Sequence, residues 1–170
     1  MPILTIRNCL DPALRKKCRA VENIDESLVT LSQDMIDTML EAHGAGLAAN
    51  QVGVSSELFV MDMGIQTEEH DPVIVINPVI TASEEEEMGE EGCLSIPEVF
   101  AEVKRAKRIE LKGYNLEGNE IRYEADGFLA RAFQHEMDHL AGILFWDNLG
   151  KVKRDILKRK FRKKLKEMAE

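Results

Sequence analysis

The chain has 170 residues, of which 44% are apolar and 31% are charged, and its formal net charge is −9. This composition excludes a disordered chain, a collagen-like repeat and a disulfide-dense mini-protein, and the length suits one domain. No stretch approaches about 18 consecutive apolar residues, and the first residues lack the pattern of a signal peptide. We therefore expect a cytoplasmic protein with no membrane partner. The charge is uneven: residues 151–170 carry +7 and the preceding 150 residues carry −16.

In the first half of the chain, residues 27–42 predict an amphipathic helix, because apolar side chains recur there at helical spacing. Residues 57–62 and 72–77 are short apolar runs bounded by turn signals, and both predict strands. The acidic run between residues 84 and 91 is expected to be a solvated loop or strand edge.

In the second half, residues 108–112 and 120–124 alternate polar and apolar side chains and predict strands joined by a hairpin turn at 115–119. A helix is expected at 126–142, starting at an Asp-Gly pair and ending at a glycine, and a last helix at about 152–168. Because helices and strands do not alternate regularly, we predict an α+β fold with mostly antiparallel strands around the helix at 126–142.

The predicted helix at 126–142 contains the sequence HEMDH, in which His135 and His139 are four residues apart. Such residues share one helix face, so the two imidazoles can bind one divalent metal ion. Glu136 is offset by about 100° around the helix axis and can move a proton on a metal-activated water. No histidine follows His139 to supply a third imidazole, and Cys93 is an alternative third ligand, although a cysteine at such a position is also compatible with a buried structural thiol. A Cys/His/His set leaves a fourth position open for water, as in catalytic sites.

The segment GAGLAANQ, residues 44–51, packs small residues before one side-chain amide. It is compatible with a tightly packed turn that enters a strand. It is also compatible with a site where a peptide backbone approaches closely and the Gln51 amide stabilises an oxyanion. The sequence lacks the lysine that follows the glycines of a phosphate-binding loop.

Three motifs, GAGLAANQ, EGCLS (residues 91–95) and HEMDH (residues 135–139), together resemble the peptide deformylase family. The resemblance continues into SIPE and QHEMDHLAG and covers nearly the whole chain. It implies removal of the formyl group from the N-terminal formylmethionine of nascent polypeptides. One position is individual: Phe100 stands where many bacterial members carry a polar residue or arginine.

The resemblance also implies residue roles. Cys93, His135 and His139 would bind one metal ion, natively Fe²⁺, with Zn²⁺, Ni²⁺ or Co²⁺ able to substitute. A metal-bound water or hydroxide would attack the formyl carbon, with Glu136 as general base and then general acid. The oxyanion would be stabilised by the Gln51 amide and the Leu94 backbone N–H. The substrate main chain would dock at Gly46, and the methionine pocket would be lined by Ala45, Phe128, Arg131 and Ala132.

The family likeness further predicts that residues 1–150 form the catalytic body and that residues 151–170 form a basic amphipathic helix of the same single domain. This helix resembles the tail by which bacterial members dock on the ribosome, although an amphipathic helix with a solvated basic face is equally compatible with its sequence. We expect a monomer that is cytoplasmic in a bacterium or located in an organelle.

Two other functions fit parts of the pattern. An HExxH endopeptidase would need a third histidine or glutamate downstream as a metal ligand, and no histidine is available there. A non-enzymatic, metal-stapled module that binds RNA through the basic tail would need a fourth protein ligand, and the remaining cysteines and histidines include no convincing candidate.

Overall fold

A computed structural model describes residues 2–169. Three α-helices and one five-stranded sheet make up most of the chain: α1 (Glu26–Glu41), β1 (Gly46–Ala48), β2 (Leu58–Asp62), β3 (Pro72–Cys93), β4 (Ile96–Tyr114), β5 (Glu120–Asp126), α2 (Gly127–Leu140) and α3 (Lys151–Ala169). The strands follow one another in chain order across the sheet, and every neighbouring pair is antiparallel. The predicted α+β fold, with antiparallel strands around the HExxH helix, is confirmed.

Strands β3 and β4 are much longer than the predicted segments 72–77 and 108–112. They form one hairpin whose strands have 22 and 19 residues. The acidic run lies inside β3, where one edge pairs with β4 and charged side chains cover the surface. Glutamate has a low intrinsic preference for β-strands, so the local sequence does not predict a strand here. The segment is a strand because its backbone forms hydrogen bonds with β4.

The end of this hairpin is a two-residue turn, Leu94-Ser95, between the paired residues Cys93 and Ile96. A register shift between Glu91 and Cys93 bends β3 immediately before the turn. The turn reaches the sheet end over which α2 packs. The hairpin therefore carries the cysteine to the HExxH helix.

The helices begin and end close to the predicted positions. The Asp25 carboxylate accepts a hydrogen bond from the Leu28 backbone N–H and caps α1. Asp126 precedes α2, but its side chain makes no capping hydrogen bond. After α2 the chain turns at Gly142, which has φ of 79°, and a Cβ there would lie 2.7 Å from the carbonyl oxygen of Arg15. Only glycine suits that turn.

Three apolar clusters hold these elements together. In one, Phe133 of α2 packs against Phe59 of β2, with ring centroids 5.9 Å apart. In another, α1 covers β1 and β2. In the third, Phe161 of α3 packs on Trp146, with ring centroids 6.1 Å apart.

Helix α3 is less amphipathic than its sequence indicates. Of its apolar side chains, Phe161 is buried and Leu157 is half-buried, whereas Ile156 and Met168 are exposed. Its basic side chains mostly face solvent. Within residues 2–169, no helix has the length and apolar character needed to cross a membrane.

Candidate metal centre

The three predicted ligands converge. The Sγ atom of Cys93 lies 3.3 Å from Nε2 of His139, and that nitrogen lies 3.1 Å from Nε2 of His135. Metal–nitrogen bonds of about 2.0–2.1 Å and a metal–sulfur bond of about 2.3 Å at tetrahedral angles separate such atoms by roughly 3.3–3.6 Å. Two imidazole nitrogens and one sulfur that all lie within 4.8 Å of one another therefore fit a divalent transition metal.

Glu91 orients one of the three candidate ligands through a hydrogen bond to its imidazole ring. One carboxylate oxygen accepts from Nδ1 of His135 at 3.0 Å, which leaves Nε2 of the same ring free for a metal. The carboxylate also accepts two hydrogen bonds of 2.8 Å from Arg105 and one of 2.8 Å from Arg131. Burial alone would raise the pKa of Glu91, but these partners lower it to about 2.

The expectation that the acidic run is solvated is thus wrong at Glu91, which is buried. Alternation along β3 turns Glu91 inward while its neighbour Glu90 faces outward. A carboxylate on the inner face needs cations, and Arg105 of β4 and Arg131 of α2 supply them. The sequence carries no local signal for this cluster, because its members are far apart along the chain.

The imidazole of His139 is fully buried, and burial lowers its pKa, as does the adjacent His135. It is therefore neutral, which is the form that ligates metals. The backbone carbonyl of the same residue accepts a hydrogen bond from the Asn50 side chain. This contact ties the end of α2 to the turn that follows β1.

Glu136 lies one residue along α2 from the first imidazole and faces the small residues of β1. Burial raises the pKa of its carboxyl group to about 7. Among the described residues, its Oε2 atom is sealed from solvent and has no hydrogen-bond partner. A carboxyl group in this state can both accept and return a proton near neutral pH.

Gln51 is held in one orientation. Its side-chain oxygen accepts from the Ala48 backbone N–H at 2.9 Å, so its nitrogen faces the hairpin turn. That nitrogen donates to Oγ of Ser95 at 3.0 Å and lies 3.8 Å from Sγ of Cys93. The amide donor is therefore fixed beside the candidate metal ligands.

A cavity of about 530 Å³ opens in front of these groups. Of the residues that were given a role in the sequence analysis, only His139 does not line this cavity. The others all line it: Ala45, Gly46, Gln51, Cys93, Leu94, Phe128, Arg131, Ala132, His135 and Glu136. The exposed ring of Phe100 forms part of the rim and packs over Gly92.

Comparison with known proteins agrees with this geometry. Residues 3–155 match the sequence model of the polypeptide deformylase family. The chain belongs to the polypeptide deformylase family. The enzyme class predicted from the sequence is thereby confirmed.

Relatives of the polypeptide deformylase family match along nearly the whole chain. The peptide deformylase of Syntrophobacter fumaroxidans is 53% identical over 167 residues, which is 98% of this chain and 98% of that protein. The peptide deformylase of Bartonella henselae is 46% identical over 168 residues, covering 98% and 96%.

Solved structures of deformylases have the same fold. A crystal structure of a peptide deformylase from Legionella pneumophila superposes with a TM-score of 0.93 at 41% identity, covering 99% of this chain and 98% of that one. A peptide deformylase from Ehrlichia chaffeensis in complex with actinonin superposes with a TM-score of 0.90 at 39% identity, covering 96% and 98%.

Proposed function

We propose that this chain removes the formyl group from the N-terminal formylmethionine of nascent polypeptides. The observation that carries the proposal is the set of Cys93, His135 and His139, which converge in one cavity with the carboxylate of Glu136. Family membership supports the same reaction. In the reaction, water adds to the formyl carbon, the C–N bond breaks, and formate and a free α-amine are released.

Cys93, His135 and His139 would hold one divalent metal ion. When bound, the metal supplies Lewis acidity, which lowers the pKa of a water molecule and polarises a carbonyl group. We propose Fe²⁺ as the native ion, with Zn²⁺, Ni²⁺ or Co²⁺ as substitutes. A thiolate with two imidazoles is a donor set that all four ions accept.

Glu136 moves the proton. Its carboxyl group lines the cavity, accepts a proton from the attacking water and then delivers it to the leaving nitrogen. One carboxyl group thus acts as base and then as acid.

Gln51 and Leu94 stabilise the negative charge on the formyl oxygen. The Gln51 nitrogen is held toward the hairpin turn by the bond from Ala48 to its oxygen. Leu94 is the residue after Cys93 and lines the same cavity, so its backbone N–H is available as the second donor. Preoriented donors of this kind need no reorganisation during the reaction.

The substrate backbone docks along Gly46, and its first side chain enters the part of the cavity bounded by Ala45, Phe128, Arg131 and Ala132. Phe128 contributes an aromatic ring and Ala132 leaves space. A long, unbranched, polarisable side chain such as methionine suits a pocket with this lining.

The test is hydrolysis of a formyl-Met peptide by the metal-loaded protein, with Glu136→Gln as the matched variant. We expect formate release by the wild type and at least a 10²-fold lower kcat in the variant, which keeps its metal. Comparable activity of a metal-loaded Glu136→Gln protein would contradict the mechanism. Cleavage of an internal amide in an unformylated peptide would instead indicate an endopeptidase.

For the basic helix, we propose contact with ribosomal RNA close to the emerging chain. Seven basic side chains of α3 are exposed on the helix: Lys151, Lys153, Arg159, Lys160, Arg162, Lys163 and Lys166. Such a surface attracts phosphate groups despite the negative net charge of the whole molecule. The catalytic body itself is proposed to act as a monomer.

A further inference from the structure

The wall of the cavity contains a charged side chain that takes no part in the proton transfer or in stabilising the negative charge. Arg131 is only 7% exposed, although it lines the cavity. Its Nη1 donates to Oε2 of Glu91 at 2.8 Å and to the Val103 carbonyl at 2.7 Å, and its Nη2 donates to the Glu87 carbonyl at 3.0 Å. These acceptors on β3 and β4 fix the orientation of the guanidinium group.

Two of its donors remain free. A guanidinium group has five N–H donors, and the three bonds above leave the Nε–H and one N–H of Nη2 without an acceptor among residues 2–169. The unpartnered side-chain atoms that are sealed from solvent in this part of the chain belong to other residues. Nε of Arg131 is therefore not sealed from solvent, and Arg131 is one of the residues that line the cavity.

Gly89 of β3 explains why the free donors stay uncovered. A Cβ at Gly89 would lie 2.8 Å from Cζ, Nε and Nη2 of Arg131 alike. Equal distances to these three atoms place that position over one face of the guanidinium group, at its Nε–Nη2 side, and not in its plane. The strand therefore does not lie in the plane in which the free N–H groups point.

A hydrogen-bond acceptor on the occupant of this region would satisfy that edge. A methionine thioether is only a weak acceptor. Oxidation to methionine sulfoxide adds one strongly polar oxygen to a side chain of nearly the same length. We propose that Arg131 lets this enzyme deformylate peptides that begin with formyl-methionine sulfoxide, with the sulfoxide oxygen accepting from the Arg131 edge.

This inference rests on the proposed deformylase function, and the bond cleaved is the same formyl C–N bond. It also has a stereochemical consequence. Sulfoxide formation creates a chiral sulfur, and the guanidinium group is held by fixed acceptors on Glu87, Glu91 and Val103. One of the two sulfoxide epimers directs its oxygen at the donors, and that epimer is the better substrate.

The experiment compares kcat/KM of the metal-loaded enzyme for formyl-Met-Ala-Ser, formyl-norleucine-Ala-Ser and each epimer of the formyl-methionine sulfoxide analogue. Norleucine has the length of methionine without any acceptor. We expect the better epimer to be hydrolysed within about tenfold of the norleucine peptide. In Arg131→Leu, the sulfoxide-to-norleucine ratio falls by about tenfold or more, as expected for loss of a charged hydrogen bond.

The ratio of the kcat/KM values for the sulfoxide and norleucine peptides is measured within one protein. It is therefore unaffected if only part of a variant preparation is active. If Arg131→Leu does not fold, Arg131→Lys retains the positive charge beside Glu91 but lacks the planar edge, and the same fall in ratio is expected. Competitive inhibition by the deformylated tripeptides measures binding apart from chemistry. The sulfoxide product is expected to inhibit the wild type more strongly than the variant, relative to the norleucine product.

An unchanged ratio in the variant that folds, or hydrolysis of both epimers more than about 100-fold slower than that of the norleucine peptide, would overturn the proposal. Failure of the underlying function is a different result, since the wild type would then leave formyl-Met-Ala-Ser intact as well.

Discussion

Gly46 of β1 lies directly against the side chain of Glu136 on α2. A Cβ at Gly46 would be 2.9 Å from Cγ and 3.0 Å from Oε1 of Glu136. Real Cβ atoms do not approach other atoms so closely, so the carboxyl group occupies space that any other residue would fill. The absence of a side chain in β1 therefore positions the proton-transfer group.

Replacing this glycine tests that relationship. Gly46→Ala is expected to displace the Glu136 carboxylate and to lower kcat by about 10²-fold, as misplacement of a catalytic group by about 1 Å does. Steady-state kinetics on a formyl-Met peptide measures the effect. Gly150→Ala is the matched control, because a Cβ at Gly150 meets nothing within 4 Å. If Gly46→Ala is as active as Gly150→Ala, the close approach of Gly46 to the Glu136 side chain is unimportant for catalysis.

Glu91→Gln removes the charge of the buried carboxylate while keeping its shape. We expect metal affinity to fall by about 10–100-fold, because the Nδ1 partner of His135 is weakened. We also expect the free energy of unfolding to fall by roughly 3–5 kcal/mol, because Arg105 and Arg131 lose their shared partner. Chelator competition and urea unfolding measure the two effects.

The matched control for that variant is Glu86→Gln, a change in the same strand at an exposed side chain. It is expected to leave both quantities nearly unchanged, since exposed ion pairs contribute little. Equal metal affinity in the two variants would mean that Glu91 does not orient the imidazole.

Asp62 makes a pH-dependent contribution to stability. Burial would raise its pKa, but hydrogen bonds from the backbone N–H groups of Asp71 and Gly64 and from His70 outweigh burial, so its pKa is below the ordinary 3.8. A lowered folded-state pKa means that the stabilisation is complete above about pH 4 and is lost as the pH falls through the folded-state value.

We therefore expect the wild type to be more stable than Asp62→Asn at pH 6 and the difference to shrink steadily below pH 4. Urea unfolding of both proteins between pH 2 and pH 6 measures this difference. A difference that is constant across the range would show that the carboxylate charge contributes nothing.

The identity of the metal has a chemical signature. In the proposed centre a thiolate binds the metal, so the Fe²⁺ form is expected to lose activity in air, and reloading with Ni²⁺ is expected to restore it. Metal analysis of protein purified without oxygen, followed by timed activity assays in air, measures both effects. An iron-loaded enzyme that stays fully active for days in air would count against iron as the native ion.

Ribosome binding through α3 should depend on salt. Changing the exposed side chains Arg159, Lys160, Arg162 and Lys163 to glutamine avoids removing Phe161, which is buried in the core. If all four bind phosphates, the slope of log K against log salt concentration should become shallower by about 0.7–0.9 for each phosphate that is no longer neutralised. Sedimentation with ribosomes at several salt concentrations measures that slope.

The control for this variant changes four exposed basic residues of the body to glutamine: Lys16, Lys17, Lys107 and Arg108. This protein has the same net charge as the α3 variant. Identical slopes in the two variants would assign the binding to overall charge, and binding that ignores salt would exclude phosphate binding by α3.

Local signals in the sequence were sufficient for elements that bury one face. Helix α1 was predicted from apolar spacing and lies at Glu26–Glu41, and the turn at Asn115 was predicted from its flanking strands. Local signals were insufficient for β3 and β4. The Glu-rich part of β3 has no regular spacing of apolar residues, and it is a strand because it pairs with β4.

The motifs alone are enough to name the donor types of the centre. HEMDH on a helix and a cysteine in EGCLS identify His135, His139 and Cys93, because helical geometry and ligand chemistry act over a few residues. The tertiary structure decided how those donors are held. Glu91, Arg105 and Arg131 are joined by the pairing of β3 with β4 and the packing of α2. Which side of a Glu-rich strand is buried depends on what packs against it, and so only the folded chain separates the buried Glu91 from its solvated neighbours.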